Sequence, residues 1–274
     1  MCRNTDRVLD LLADSSTTAT FFVLGWVAER FPWLVERIAR EGHEVASHGY
    51  AHRLVYDLTP QEFREDLRRA KDAIGAATGI EVRGYRAPSF SITERSLWAL
   101  EVLVEEGYTF DSSVYPICRD RYGIPGAPRH AHQRSTPSGS LLEIPPSTVR
   151  WGGFTVPVAG GGYFRLYPYA FTRNAVLDLN LRERQPAVVY LHPWEIDPRQ
   201  PRQAGSSLSR FRHYVNLDRT ESRLQVLLRD FTFGPLSIAT PAVAGLPPLA
   251  LAPEPLAAAQ RGSRVHSAAG AHAW

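Results

Sequence analysis

Short apolar stretches that alternate with amphipathic helical stretches predict an α/β fold built from parallel βα units. Two further observations point the same way. The intervening stretches carry their own helix start and stop signals. Polar residues of catalytic type stand at the exits of several of the strands, where barrels and open α/β sheets place their chemistry.

Each element can be justified in order. Asn4 to Ala13 reads as a helix with Val8, Leu9, Leu11 and Leu12 on its buried side. Ala19 to Leu24 (A-T-F-F-V-L) is β-branched and aromatic, a buried strand. Pro32 to Glu41 is a helix stopped by Gly42, and Glu44 to Ser47 a short strand. Thr59-Pro60-Gln61-Glu62 is a capping box with Pro at the first helical position; its helix runs to about Thr78 and ends at Gly79. Val82 to Arg86 is a strand, Thr93 caps a helix to Glu106, and Tyr108 to Asp111 is a strand again. Residues 114 to 165 change character, being rich in Pro, Gly and Arg with one strand-like run at Leu141 to Ile144. They read as an excursion over the active face or an irregular subdomain. Pro168 to Glu183 returns to helix, Ala187 to Leu191 is the clearest buried strand of the second half, and Thr220 to Asp230 is a last helix. From about residue 235 to 274 the chain is Ala- and Pro-rich with few charges, which predicts a disordered tail.

The 274 residues are 44% hydrophobic and 22% charged, enough for a real core. A net charge of +3 is slight, and no basic run interleaves with aromatics, which argues against a nucleic-acid partner. Cys2 and Cys118 give neither a disulfide framework nor a cysteine metal site. No stretch approaches the ~20 apolar residues of a membrane span. No apolar signal region follows Met1, so the chain as written is expected to be cytoplasmic.

The strongest chemical signal is a histidine pair four residues apart, His48 and His52, in S-H-G-Y-A-H. Neutral imidazoles are common ligands for zinc-type ions, and in a helical turn this spacing sets both rings on one side. The plain alternative is two loop histidines. Arg86 ends one strand, Asp111 the next and His192 a late one. Arg86 also reads as a structural ion-pair partner, and Asp111-Ser112-Ser113 as a turn or cap. His192, after five apolar residues and before Pro193 and Trp194, is harder to read as structural. Gly160-Gly161-Gly162 marks a tight turn or a close backbone approach. Arg210 to Tyr214 reads as a solvated loop or an anion contact, and Glu143 as a charge that faces the site or is buried within an apolar run. The second half is rich in aromatics, among them Trp151, Phe154, Tyr163 and Tyr167, suited to a sugar groove or to the core.

Taken together, S-H-G-Y-A-H, R-A-P and L-H resemble motifs of the polysaccharide deacetylases, the NodB-homology group also called carbohydrate esterase family 4. The strings A-T-F-F-V-L-G-W-V-A-E-R, G-Y-R-A-P-S-F-S-I, D-R-Y-G-I-P, A-G-G-G-Y-F-R and Y-L-H-P-W-E-I-D-P are similar to its exosortase-associated (PEP-CTERM) branch. The resemblance spans residues 4 to 234. It implies a deformed parallel (β/α) barrel, a divalent metal of the Zn²⁺ type, and hydrolysis of N-acetyl groups on an amino-sugar polysaccharide or oligosaccharide. It implies that His48 and His52 are metal ligands and that Arg86 orients the catalytic base. It makes Asp111 the partner of His192, the proton donor to the leaving amine. The backbone N–H of Ser89, after Pro88, would help hold the oxyanion, where the family often has an aromatic residue. Trp194 would stand beside the substrate.

One departure is expected to matter. The family's first motif is an aspartate pair on a first strand, supplying the general base and the third ligand. Here no strand precedes the opening helix, and Asp6, Asp10 and Asp14 fall on or just after it. The sequence therefore predicts a barrel lacking its first strand, through a misplaced start codon or a real truncation. Residues 1–117 would form the N-terminal part of the deacetylase barrel, 118–234 a branch-specific part completing it, and 235–274 the tail. The alternative to a deacetylase is a truncated, non-catalytic relic that still binds glycan.

Overall fold

A computed structural model describes residues 1–158, 160–239 and 249–250. The chain opens with helix α1 (Cys2–Asp14), strand β1 (Thr20–Val23), helices α2 (Gly25–Arg30) and α3 (Pro32–Arg40), and strand β2 (Glu44–Ser47). Helix α4 (Pro60–Thr78), strand β3 (Gly84–Tyr85), helix α5 (Trp98–Glu105) and strand β4 (Phe110–Asp111) follow. The capping box of α4 is formed: Thr59 Oγ1 accepts the Glu62 N–H at 3.2 Å and Glu62 Oε2 the Thr59 N–H at 2.8 Å. The helix stops at Gly79, whose φ is 70°.

β1, β2, β3 and β4 lie side by side and parallel, in chain order. The next member is β6 (Gly139–Glu143), also parallel to β4, reached after β5 (His132–Thr136), with which it forms an antiparallel hairpin. The register aligns Val23, Ser47, Tyr85, Asp111 and Glu143 across five neighbouring strands. His48 and Arg86 therefore leave the sheet at one level, each a residue beyond that row. The main core, including Val45, Phe63, Leu67, Ile74, Leu100 and Leu103, packs α3, α4 and α5 onto the sheet.

Beyond β6, strands β7 (Thr148–Trp151) and β8 (Phe154–Pro157) form a separate hairpin. Helices α6 (Gly162–Leu166), α7 (Tyr169–Leu177), α8 (Ser207–Tyr214) and α9 (Leu217–Asp230) complete the second half. Helix α1 packs on α9 through Val8, Leu11 and Leu12 against Leu224 and Leu228. Among the described residues no helix is long and apolar enough to cross a membrane.

The parallel α/β sheet bears out the expected fold class; among the described residues it does not close into a barrel, and β1 is its edge. Several finer expectations are corrected. The run Ala187 to Leu191 is not a strand: only Tyr190 makes a bridge, to Gly160. One side of this run is occupied by Ser147 and the 160–161 turn, and the other lines a cavity shared with β1. Without a neighbour on that side it has no ladder to join. Residues 210–214, read as a loop, lie in α8, which Ser206 caps through the Ser209 N–H. Of the expected tail, Leu236–Ala239 is a short helix α10, with Leu236 packed beside Ile144 and Phe22, and Leu249–Ala250 (β9) pairs with β5. The rest of that tail lies outside the described residues.

Candidate active site

The turn after β2 carries the histidine pair. Gly49 takes φ 75°, and the Asp66 carboxylate accepts the Tyr50 N–H at 2.7 Å. His52 itself takes φ 56°, a conformation uncommon outside glycine. This left-handed turn, not a helix as the spacing suggested, brings the rings of His48 and His52 within 5.2 Å of each other. His48 Nδ1 lies 2.6 Å from the Arg86 carbonyl oxygen. That carbonyl can only accept, so Nδ1 carries the proton and Nε2 keeps its lone pair. This is the arrangement of a metal-ligating histidine with an outer-shell acceptor. Burial, reinforced by His52, pushes the His48 imidazole down to about 3, and burial also lowers His52. Both rings are thus held neutral, the form that binds metal.

Arg86 is buried, donating from Nε to the Ser112 carbonyl at 3.0 Å and from Nη2 to Ser112 Oγ at 2.6 Å. Its guanidinium lies over the Phe22 ring at 4.3 Å. Burial lowers it to about 10, and no carboxylate among the described residues comes within ion-pair distance of it. Beyond it Ser89 and Phe90 both take positive φ, 53° and 54°. Strain of this kind in consecutive non-glycine residues concentrates at functional sites.

His192 arrives from the other side. Gly160, with φ 136°, lets the turn at 160–161 press against the Tyr190 backbone, where the Gly161 N–H donates to the Tyr190 carbonyl at 3.0 Å. Two residues later the His192 ring is half exposed. Glu195 Oε1 accepts from its Nδ1 at 2.8 Å and from its backbone N–H at 2.9 Å. Glu195 is buried and paired through Oε2 with Arg165 Nε at 2.7 Å. Burial works against its charge, but His192 and Arg165 outweigh burial and hold the carboxyl below its ordinary range. Trp194 stacks between His192, 5.6 Å away, and His213, 4.3 Å away.

His48, His52, Arg86, Ser89, His192 and Trp194 all line one cavity of about 1910 Å³, which extends between β1 and residues 186–193 to the apolar face of α9. Pro88 is buried behind Ser89 and does not line it. Asp111 is also outside it. The expected Asp111–His192 pairing is not made: Asp111 is wholly buried, accepting from Ser113 Oγ at 2.6 Å and from the Ser113 N–H at 3.1 Å. The register places it beside Glu143, itself fully buried and accepting the Val114 N–H at 3.0 Å. Burial and then the Asp111 charge push Glu143 well above the ordinary carboxylate range. Glu143 thus belongs to the sheet interior, not to the cavity. Asp6 and Asp10 pair with Arg37. Glu195 and Arg165 are the residues the sequence reading missed, although Glu195 sits three residues after His192 in H-P-W-E.

The residues present fit a divalent ion only in part. Two neutral imidazoles are in place, but no group of three potential ligands occurs among the described residues, against the three that catalytic zinc takes.

Comparison with known proteins agrees with this picture. Residues 2–110 match the family model for polysaccharide deacetylase, and residues 112–240 match a domain of unknown function, DUF3473. Over residues 2–110 the chain is similar to the polysaccharide deacetylase family. It is 36% identical over 98 residues to a peptidoglycan-N-acetylglucosamine deacetylase of Bacillus cereus, covering 35% of this chain and 36% of that protein. A chitooligosaccharide deacetylase of Rhizobium leguminosarum bv. trifolii is 33% identical over 97 residues, covering 34% and 45%. The matched stretches thus span less than half of these two relatives. A crystal structure from Mycobacterium smegmatis, assigned as a polysaccharide deacetylase, superposes with a TM-score of 0.64 at 23% identity, covering 92% of this chain and 82% of that one. That likeness shows the fold, an α/β architecture of the deacetylase type.

Proposed function

We propose that this protein belongs to a metal-dependent N-deacetylase of a bacterial exopolysaccharide, acting on acetylated amino sugars. The observation that carries the reading is the convergence of His48, His52, Arg86 and His192 on one cavity from three separate chain segments. The names of the curated relatives support the substrate class; the branch rests on the sequence strings alone. In the reaction water adds to the acetamide carbonyl, the carbon–nitrogen bond breaks, and acetate and a free amine leave. A divalent ion of the zinc type, when bound, would polarise the carbonyl and lower the pKa of water. His192 gives the leaving amine its proton, imidazole being the natural donor near neutral pH. The strained turn at Ser89 presents a backbone N–H for the oxyanion, a contact worth roughly 2.7–4 kcal/mol in such sites. Arg86 steadies the carboxylate that acts as base. That carboxylate and the third ligand come, in this reading, from a further parallel strand entering the cavity along the edge of β1.

The test measures acetate released from N-acetylglucosamine oligomers by two forms. One is the 274-residue chain. The other carries, ahead of Met1, a strand ending in paired aspartates. The longer form should release acetate, the shorter none, and His48→Ala should silence the longer form. An inactive longer form that is folded would refute the reading; equal release by both would place the base within these 274 residues.

A further inference from the structure

His192 hangs from a segment that has almost no ladder. Between residues 187 and 191 the backbone is fastened by the Gly160–Tyr190 bridge and by Ser147, which bonds the Val188 N–H and carbonyl. The His192 ring is half exposed, so packing alone does not fix it. What fixes it is a chain of buried polar contacts. One oxygen of Glu195 grips both the ring Nδ1 and the backbone N–H of the same residue, which ties the ring to its own main chain. The other oxygen takes Arg165 Nε. The remaining guanidinium donors are spent on backbone: Nη1 on the carbonyls of His213 at 2.7 Å and Val215 at 3.2 Å, Nη2 on that of Arg212 at 3.1 Å. These carbonyls belong to the end of α8 and the residue after it, the negative end of the helix dipole. Arg165 is therefore held both by Glu195 and by the C-terminal end of α8, and Glu195 by Arg165.

We propose that Glu195 and Arg165 are positioning residues for His192, fixing its Nδ1–H tautomer so that Nε2 is the nitrogen that exchanges a proton with substrate. The role rests on the deacetylase reading of the site. The physical argument needs only the acceptor chemistry. An ionised carboxylate can accept but not donate. A ring nitrogen 2.8 Å from it therefore carries hydrogen, and the proton to be given or taken sits on the opposite nitrogen. His192 and Arg165 together keep Glu195 ionised in a site where burial disfavours charge. The rival role is structural: Glu195 also caps the short turn Pro193–Ile196. Capping sets backbone geometry, whereas the proposed role sets a tautomer, and the two can be separated.

The experiment is ¹⁵N NMR of the histidine rings in the full chain, with His192→Gln used to assign the signal, at a pH where the ring is neutral. The expected spectrum shows Nδ1 protonated in the wild type. Glu195→Gln, whose amide can donate as well as accept, should give a mixture of tautomers. Glu195→Asp, which keeps the carboxylate, should restore the single form if it still reaches the ring. A wild-type ring protonated on Nε2, or a Glu195→Gln spectrum unchanged from wild type, overturns the proposal. If Glu195→Gln does not fold, Arg165→Lys serves: it keeps the charge but loses the fork, and should broaden the ring into exchanging orientations. A sharp, unchanged His192 signal in a folded Arg165→Lys chain also overturns it. In a form that turns over, Glu195→Gln should lower kcat by roughly 10²-fold or more with KM little changed; a change in KM alone counts against the role. The tautomer needs no turnover. Acetate release that fails in every form defeats the deacetylase reading without touching the clamp, and a mixed wild-type tautomer defeats the clamp without touching the reading.

Discussion

Replacing Gly160 by alanine probes the joint that places His192. A Cβ at Gly160 would stand 1.8 Å from the Tyr190 carbonyl oxygen, 2.7 Å from its carbon and 2.8 Å from its nitrogen. These are backbone atoms, with no rotamer to swing away. The φ of 136° is also one that a side chain resists. Forcing atoms into a packed contact costs ~1–3 kcal/mol, and the disfavoured backbone adds ~1–2 kcal/mol. Losing the Gly161–Tyr190 hydrogen bond adds ~0.5–1.5 kcal/mol. The total, about 3–6 kcal/mol, is a large part of the ~5–15 kcal/mol that holds a domain together. In urea, with a slope of ~1–3 kcal/mol/M, Gly160→Ala should lower the unfolding midpoint by roughly 2 M. Gly75→Ala is the control. It lies inside α4, where the nearest atom to a new Cβ is 3.9 Å away, and should stabilise by ~0.5–1 kcal/mol. A Gly160→Ala midpoint equal to wild type would mean that 160–161 and 190 do not touch, and the placement of His192 would fall with it.

Three further outcomes are expected. With two imidazoles and no third ligand among the described residues, the 274-residue chain should bind zinc weakly, lose it to a chelator, and bind none as His48→Ala or His52→Ala; stoichiometric zinc after dialysis against a chelator would reveal another ligand. Glu143 keeps its proton in the fold well above the usual 4.5, so stability is complete below that pH and declines as pH rises toward its folded pKa. Glu143→Gln should remove that slope in urea midpoints measured from pH 5 to 8, and an unchanged slope would assign it elsewhere. Thr59→Ala should cost ~1 kcal/mol through the lost cap of α4, read as a lower melting temperature; no change would mean that Glu62 holds the turn alone.

What the sequence made legible was whatever local chemistry decides. Glu44 to Ser47 is a strand with the predicted bounds, and Thr59 caps its helix because a threonine, a proline and a glutamate at fixed offsets suffice. Tertiary partners decided the rest. Ala187 to Leu191 has the composition of a strand, but hydrogen-bonded neighbours make a strand, and this run has one bridge. Helix α8 shows no apolar stripe and was read as a loop; its capping serine starts it, and Arg165, some forty residues earlier, binds its last carbonyls. Asp111 was legible as a special residue but not its address. A polar residue at a strand end can face the cavity or its neighbour, and the register with Glu143 chose the neighbour. Glu195 took the place expected for Asp111 because an acid three residues beyond a histidine can reach back to it across one tight turn.

Three shortfalls meet in one place. The outer edge of β1 has no strand beside it among the described residues, although unpaired edges invite aggregation. Arg86, buried near the end of that edge, has hydrogen bonds but no carboxylate in ion-pair contact. The imidazole pair has two ligands where zinc chemistry uses three. Each alone has an ordinary explanation. Together they share a direction, since β1, Arg86 and both histidines line the same cavity. A parallel strand laid along β1 would pair the edge, and its C-terminal exit would fall level with His48 and Arg86, because parallel strands deliver their ends to one face. A carboxylate there would meet the guanidinium and the imidazoles at once. The truncated-relic reading traces the three shortfalls to the same absent strand. It gives no reason, however, for a chain without chemistry to keep a costly buried cation, two neutral imidazoles and a histidine clamped by a buried ion pair. Those retained groups separate the proposed enzyme site from the relic, and acetate release by the two forms decides between them.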